Sequence, residues 1–215
     1  MKYYAVIDTN VLVSALLSRK EGTATKRIWE YVFNGVIIPL LNAEILAEYS
    51  MVLHRSHFRF NPESVESTLE IIRARGMMCE AVPAVFNVID PADVVFYEVS
   101  LSQKDAYLIT GNRKHFPKNG RIVSPAEMVQ IIELSENASG ILNDPDVDYM
   151  TEKKKEMLQE EQAFIERARR IAELVRKNAI ANGTADMSMD EINEEIRLCR
   201  EERRARMAEK NASAR

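Results

Sequence analysis

Short, continuous runs of apolar residues alternate with helical patterns through the first 137 residues, and this alternation constrains the fold most strongly. Strands are predicted at 3–7, 36–38, 107–110 and 121–123. Helices are predicted after Asn10 and over 23–34, 42–53, 62–75, 90–102 and 124–135. Uninterrupted apolar strands that alternate with helices are typical of parallel sheets covered on both faces. We therefore predict an α/β domain with a parallel sheet flanked by helices.

The composition changes after residue 137, where aromatic residues become rare and charged residues dense. Of the 29 Lys+Arg and 33 Asp+Glu in the chain, 15 and 17 follow residue 137. Small and turn-forming residues from Asn137 to Pro145 are typical of a linker. We predict a domain over 1–137, a linker over 138–149 and a helical extension over 150–215.

The second predicted helix of the extension has a narrow apolar stripe. Ser188 and Glu191 have the spacing of a capping box, which marks the start of this helix. Its apolar stripe consists of Ile192, Ile196 and Cys199. So narrow a stripe cannot form a core by itself, and we expect it to pack on a partner surface.

Polar and acidic residues follow several of the predicted strands. Asp8 ends the first strand, Glu44 and Asp93 lie in first turns of helices, and Asn112 follows a later strand. Each alone is equally typical of a helix cap or a first-turn acid. Ligands of open α/β sheets bind at the carboxyl ends of the strands, and Mg²⁺ prefers carboxylate oxygens. Together, these residues indicate a cation site there.

Three segments resemble a known family. They are Val6–Ala15 (VIDTNVLVSA), Asp90–Tyr97 (DPADVVFY) and Tyr107–Phe116 (YLITGNRKHF). In order, spacing and context they resemble PIN domains, and VapC-like toxins in particular, over about residues 1–136. The resemblance implies a metal-dependent ribonuclease.

The resemblance also implies roles for individual residues. Asp8, Glu44 and Asp93 are expected to bind Mg²⁺ or Mn²⁺ and, with Asn112, to form the catalytic set. Asn112 stands where many members have a fourth acid, so we expect weaker metal binding or one well-held ion. A second layer of residues is expected to orient the carboxylates or the substrate: Thr9, Asn10, Thr110 and Asp90. Asp90 is either such an acid or the N-cap of its helix, and the cap is favoured.

RNA binding requires local positive charge, because the formal net charge of the chain is −4. Arg113, Lys114 and His115 directly follow Asn112 and are candidate RNA-binding residues. A solvated loop is the alternative interpretation.

The end of the chain is similar to the C-terminal arm of antitoxins that neutralise PIN toxins. The similarity lies in Met189–Arg197 and the arginines that follow it. Such arms place basic side chains in the acidic site. The candidate inhibitory residues are Arg197, Arg200, Arg203 and Arg204. The alternative is a charged helical pair that packs on the domain or mediates oligomerisation.

We therefore expect an endoribonuclease toxin of a type II toxin–antitoxin system, inhibited by its own C-terminal helices. The alternatives are an RNA-processing nuclease with an oligomerisation tail and a non-catalytic PIN-fold interaction module. Expected partners are RNA, an antitoxin or the chain's own tail, and further copies of the chain. The sequence shows no signal peptide or membrane span, and Cys79 and Cys199 lack a CxxC spacing. These features predict a cytoplasmic protein.

Overall fold

A computed structural model describes residues 1–86, 90–139, 152–185 and 187–213. The strands are β1 Tyr3–Ile7, β2 Ile37–Leu41, β3 Met77–Met78, β4 Tyr107–Ile109 and β5 Ile122–Val123. The α-helices are α1 Thr9–Leu17, α2 Ala24–Phe33, α3 Ala43–Leu53, α4 Pro62–Arg75, α5 Val94–Ser100, α6 Pro125–Ser139, α7 Glu152–Ala181 and α8 Met189–Ser213. Residues 138–139 of the predicted linker belong to α6, and 140–149 lie outside the described residues.

The five strands form one parallel sheet in the order β3-β2-β1-β4-β5. Strand β1 is central, with Tyr3 paired to Ile37 of β2 and Ala5 paired to Tyr107 of β4. This architecture confirms the predicted α/β class. The edge strand β3 was not predicted, because two residues after Gly76 are too few to show a strand pattern.

The sheet is buried between helices. Ala5 and Val6 of β1 have no exposed surface, and large buried aromatic side chains from the helices pack around the sheet. They include Phe33 of α2, Tyr49 of α3 and Phe96 of α5, and Phe58 from the turn after α3 joins them. Continuous burial on both faces explains why the strands have apolar runs instead of alternating polarity.

Side-chain caps define where helices begin. The Asn42 side chain accepts a hydrogen bond from the Ile45 amide (2.8 Å) at the start of α3. Ser124 and Glu127 form the predicted capping box at the start of α6. Such caps satisfy amides that have no partner within the helix.

Helix α7 packs on α1, α2 and α4. It buries Ala168, Val175 and Ala179 completely or almost completely. Arg75 of α4 lies over the Phe164 ring, 4.0 Å from its centroid, and donates to Glu161 (2.7 Å). Helix α7 therefore extends the core of the α/β domain.

Helix α8 packs on α1 and α3 and crosses the carboxyl edge of the sheet. Its predicted apolar stripe, Ile192, Ile196 and Cys199, is buried. The predicted capping box is present, with the Ser188 amide donating to Glu191 (2.7 Å). Among the helices in the described ranges, none has the length and apolar character that crossing a membrane requires.

Candidate active site

Asp8 lies at the centre of the carboxyl edge. It follows β1, caps α1 and is 4% exposed. One of its oxygens, Oδ2, accepts hydrogen bonds from the Thr110 hydroxyl (2.6 Å) and the Asn10 side-chain amide (2.9 Å). Asn10 also accepts from the Gly111 amide (3.0 Å). Thr110 and Asn10 thus both hydrogen-bond to this carboxylate.

Glu48 of α3 is the second acid of the cluster, and it was not predicted. It is 4% exposed and accepts a hydrogen bond from the Thr9 hydroxyl (2.7 Å). Glu44, the predicted acid, lies one turn earlier in α3 with an exposed side chain. The structure corrects this assignment, because Glu48 is on the helix face that buries Ile45 and Val52, whereas Glu44 is directed to solvent.

Asp93 is the third acid, and His115 connects it to Asn112. The Asn112 side-chain amide donates to His115 Nε2 (2.8 Å), so His115 Nδ1 donates to Asp93 Oδ2 (2.7 Å). The Asn112 backbone amide donates to the Thr110 hydroxyl (2.9 Å). Asn112 therefore lies at the site. His115 positions Asp93 through a hydrogen bond and is thus engaged within the domain.

Asp90 combines the two roles between which the sequence left a choice. Its side chain accepts from the Ala92 amide (3.1 Å), which is the predicted cap. It also accepts a hydrogen bond from Arg200 (2.9 Å) and is therefore part of the acid cluster, which we define as Asp8, Glu48, Asp90 and Asp93.

Arg200 of α8 inserts its guanidinium into the acid cluster. Its nitrogens donate to Glu48 (2.6 and 3.1 Å), Asp90 (2.9 Å) and Asp93 (2.7 Å). The residue is 7% exposed. Burial lowers the pKa of Arg200, but Glu48, Asp93 and Asp8 outweigh this effect and raise it above its ordinary value. Arg200 is therefore a buried, permanently charged cation.

Arg200 does not remove all opposition to ionisation within the acid cluster. Burial and the nearby Asp93 raise the pKa of Asp8 to about 6, although Thr110 and Arg200 act in the opposite direction. Burial also raises the pKa of Asp90, but the Ala92 amide and Arg200 outweigh it, so this pKa lies below its ordinary value. Of these two acids, Asp8 is thus the one whose ionisation the site opposes.

The other predicted arginines of α8 stay outside the cluster. Arg197 is exposed and pairs with Glu194 and Glu201 of its own helix. Arg204 lies at the rim, 3.6 Å from Asp90. Arg203 lines a separate groove of about 1580 Å³ beside His54 and Arg55, away from the acids. Only Arg200 of the four therefore enters the site.

The predicted RNA-binding residues lie at the edge of the site. Lys114 lines a cleft of about 470 Å³ between α8 and the acid cluster. Arg113 is exposed and pairs with Glu127 (2.7 Å), so its charge is partly engaged. The cleft leaves Lys114 as the better placed of the two.

The first turn of α8 covers the other end of the site. A Cβ at Gly111 would lie 3.0 Å from the Met189 sulfur, so Met189 packs directly on this backbone. Helix α8 therefore covers the site from Met189 at one end to Arg200 at the other.

The acid cluster has the donor chemistry of a divalent cation site, but its carboxylates are engaged by Arg200. Within the described ranges, no group of three or more Asp, Glu, His or Cys side chains is arranged to hold a metal ion. Carboxylate oxygens held by neighbouring hydroxyls and a histidine are nevertheless the donors that Mg²⁺ and Mn²⁺ use.

Comparison with protein families matches residues 4–114 to the PIN domain, and the chain belongs to this family. PIN domains are generally metal-dependent nucleases that act on RNA. Comparison with curated proteins found no match. Comparison with solved structures found none either.

We predict that Glu48→Gln weakens Mn²⁺ binding more than tenfold, because the substitution removes a buried carboxylate of the cluster. Glu44→Gln is the matched control in the same helix and should leave the affinity unchanged. Isothermal titration calorimetry measures both. An equal loss for the two variants, or a loss for Glu44→Gln alone, would contradict the assignment of Glu48.

We also predict that Asp8→Asn stabilises the metal-free protein at pH 7.5. The native carboxyl holds its proton up to about pH 6, whereas the unfolded chain releases it near 3.8, so the free energy of unfolding falls as pH rises through this window. Asparagine avoids this loss, and we expect a gain of roughly 1–3 kcal/mol at pH 7.5 that shrinks toward pH 4.

Urea unfolding in the presence of a chelator measures this effect. Asp105→Asn, at an exposed position, serves as the control and should change little at either pH. A lower stability of Asp8→Asn than of the wild type at pH 7.5 would contradict the raised pKa of Asp8.

Proposed function

We propose that the chain is a metal-dependent endoribonuclease of the toxin type whose own helix α8 holds it inactive. The observation that supports this most strongly is the position of Arg200. Its guanidinium binds three carboxylates of a PIN-domain acid cluster at once. A single side chain from the C-terminal extension thus occupies the carboxylate oxygens that a catalytic cation would need.

Asp8, Glu48 and Asp93 would hold a divalent cation, with Asp90 and Asn112 at the border of the site. The pKa of Asp8 is raised by its burial and by the nearby Asp93, and a divalent ion would offset both effects by stabilising the ionised carboxylates. When bound, such an ion would activate a water and stabilise the charge that develops on the scissile phosphate.

The residues around the acids contribute positioning. Thr9 holds Glu48, Thr110 and Asn10 hold Asp8, and His115 holds Asp93. Fixed carboxylates do not need to reorganise as the reaction proceeds, which is where much of an enzyme's electrostatic stabilisation comes from. This organisation favours a catalytic site over a non-catalytic interaction module.

Lys114 would hold the RNA backbone next to the acids, because it lies at the open edge of the cleft. An acidic site repels a polyanion, so substrate binding requires both this local positive charge and a bound cation. RNA and α8 would compete for the same surface, since Met189 and Arg200 lie across it.

The toxin assignment is supported by the way the two parts of the chain fit together. Arg200 of the C-terminal helix would block the nuclease site, as expected for a toxin and its antitoxin joined in one chain. An RNA-processing nuclease with an oligomerisation tail remains the alternative, and it requires no inhibition by Arg200.

We predict that full-length Arg200→Gln cleaves RNA at least about 100-fold faster than the wild-type chain at Mg²⁺ or Mn²⁺ concentrations that do not saturate the wild type. Breaking a buried ion pair typically costs about 3–5 kcal/mol, and about 1.4 kcal/mol corresponds to a factor of ten. Cleavage of a total RNA pool and of fluorophore–quencher oligonucleotides measures the rates.

Arg203→Gln is the matched control, because Arg203 lies in the same helix and outside the acid cluster. It should remain as inactive as the wild type. Adding Asp8→Asn to Arg200→Gln, or adding a chelator, should abolish the activity. Equal activity of wild type and Arg200→Gln would reject self-inhibition, and no cleavage by any variant would favour the interaction module.

A further inference from the structure

The two helices of the C-terminal extension are attached to the domain in different ways. Helix α7 buries Ala168, Val175 and Ala179 against α1, α2 and α4. The Phe164 ring adds a cation–π contact with Arg75. Apolar contacts of this kind do not respond to charge in the active site. Helix α7 is thus held by forces that a bound cation does not alter.

Part of the attachment of helix α8 consists of ion pairs with the acid cluster. Its buried apolar residues are Ile192, Ile196 and Cys199, and every residue from 201 to 209 is exposed. Arg200 pairs with the acid cluster, and Glu195 pairs with Arg55 (2.6 Å). The attachment of α8 therefore depends on the charge state of the site that it covers.

The boundary between the two helices is well defined. Asn182 donates to the Arg59 carbonyl (2.9 Å) and Thr184 to the Phe58 carbonyl (3.3 Å), which fixes the end of α7 to the domain. Helix α8 begins with its own capping box at Ser188 and Glu191. It can separate as a preformed helix without loss of this cap, while α7 stays in place.

The acid cluster cannot satisfy both Arg200 and a divalent cation. The guanidinium uses both oxygens of Glu48 and one oxygen of Asp93, which a cation at the same acids would need. A ligand that binds only the open form shifts the chain toward that form, and the closed form in turn weakens its binding by the same factor.

We propose that α8 alone is a lid and that binding of a divalent cation to the acid cluster displaces it while α7 remains docked. This inference rests on the proposed metal site and adds how the site is regulated. It assigns the switch to one helix, Met189–Ser213, and its opening signal to the cation itself.

Cys199 provides a natural reporter of lid opening, because this residue of α8 is only 5% exposed while the helix packs on the domain. Cys79, outside the extension and partly exposed, is an internal reference. Val175→Cys places a third thiol in the buried face of α7. Alkylation of each thiol in the full chain is followed by mass spectrometry while Mg²⁺ or Mn²⁺ alone is added to metal-free protein.

We expect Mn²⁺ to raise the labelling rate of Cys199 at least about tenfold, within the range typical of such coupling, and to leave Cys79 and Val175→Cys unchanged. Asp8→Asn should abolish the increase. Arg200→Gln should label rapidly without metal and bind Mn²⁺ about 100-fold more tightly by calorimetry, whereas Arg203→Gln should match the wild type.

Three results would overturn the inference. They are unchanged Cys199 labelling in Mn²⁺-saturated wild type, faster labelling of Val175→Cys along with Cys199, and equal Mn²⁺ affinities of wild type and Arg200→Gln. The wild-type titration needs no variant to fold. The assay contains no RNA, so failure of the nuclease proposal is seen separately: Arg200→Gln would open and bind metal without cutting RNA.

Discussion

Three buried acids and the half-buried Asp90 at one edge of a sheet require a positive charge, and the arrangement of the whole chain depends on how this requirement is met. Arg200 meets it in the closed form by binding Glu48, Asp90 and Asp93. Mutual repulsion and loss of hydration would otherwise oppose ionisation of these groups. Burial and the nearby Asp93 keep the pKa of Asp8 raised even though Arg200 acts in the opposite direction. The site is therefore suited to exchanging one cation for another of higher charge.

The parallel sheet creates this cluster by directing several chain segments to the same edge. Asp8 follows β1 and Thr110 follows β4, which pairs directly with β1. Helix α3 brings Glu48 to Thr9, and the turn at Asp90 brings in Asp93. The core beneath, which α7 extends, holds these segments in place, and α8 packs Ile192, Ile196 and Cys199 on the domain. We propose that α7 contributes stability and that α8 contributes regulation.

The sequence predicted the fold and about half of the site, because strand ends and family motifs are local features. Asp8, Asp93 and Thr110 lie in such motifs. Glu48 does not, and first-turn reasoning selected Glu44 instead. A usable signal was present: Glu48 interrupts the buried stripe formed by Ile45 and Val52, where an unpaired acid is costly.

The choice among the four arginines also depended on packing that a local pattern does not show. Ile192, Ile196 and Arg200 are spaced by four, so Arg200 continues the buried face of α8. Arg197 and Arg203 fall on other faces of the helix. His115 was predicted to bind RNA from its basic neighbours in the sequence. Its hydrogen bonds connect Asp93 and Asn112, and the contact with Asp93 joins segments that are distant in sequence, so a local pattern does not show it.

The most direct test of the account is a double-mutant cycle between Arg200 and Glu48, measured as free energies of unfolding of the full chain in chelator. The variants are Arg200→Gln, Glu48→Gln and their combination, with Glu44→Gln in place of Glu48→Gln as the control cycle. We predict a coupling energy of at least about 1.5 kcal/mol between Arg200 and Glu48. The effects of Arg200→Gln and Glu44→Gln on the free energy of unfolding should add within about 0.5 kcal/mol. Additive effects in both cycles would show that Arg200 does not neutralise the acid cluster, and the self-inhibited arrangement would have to be abandoned.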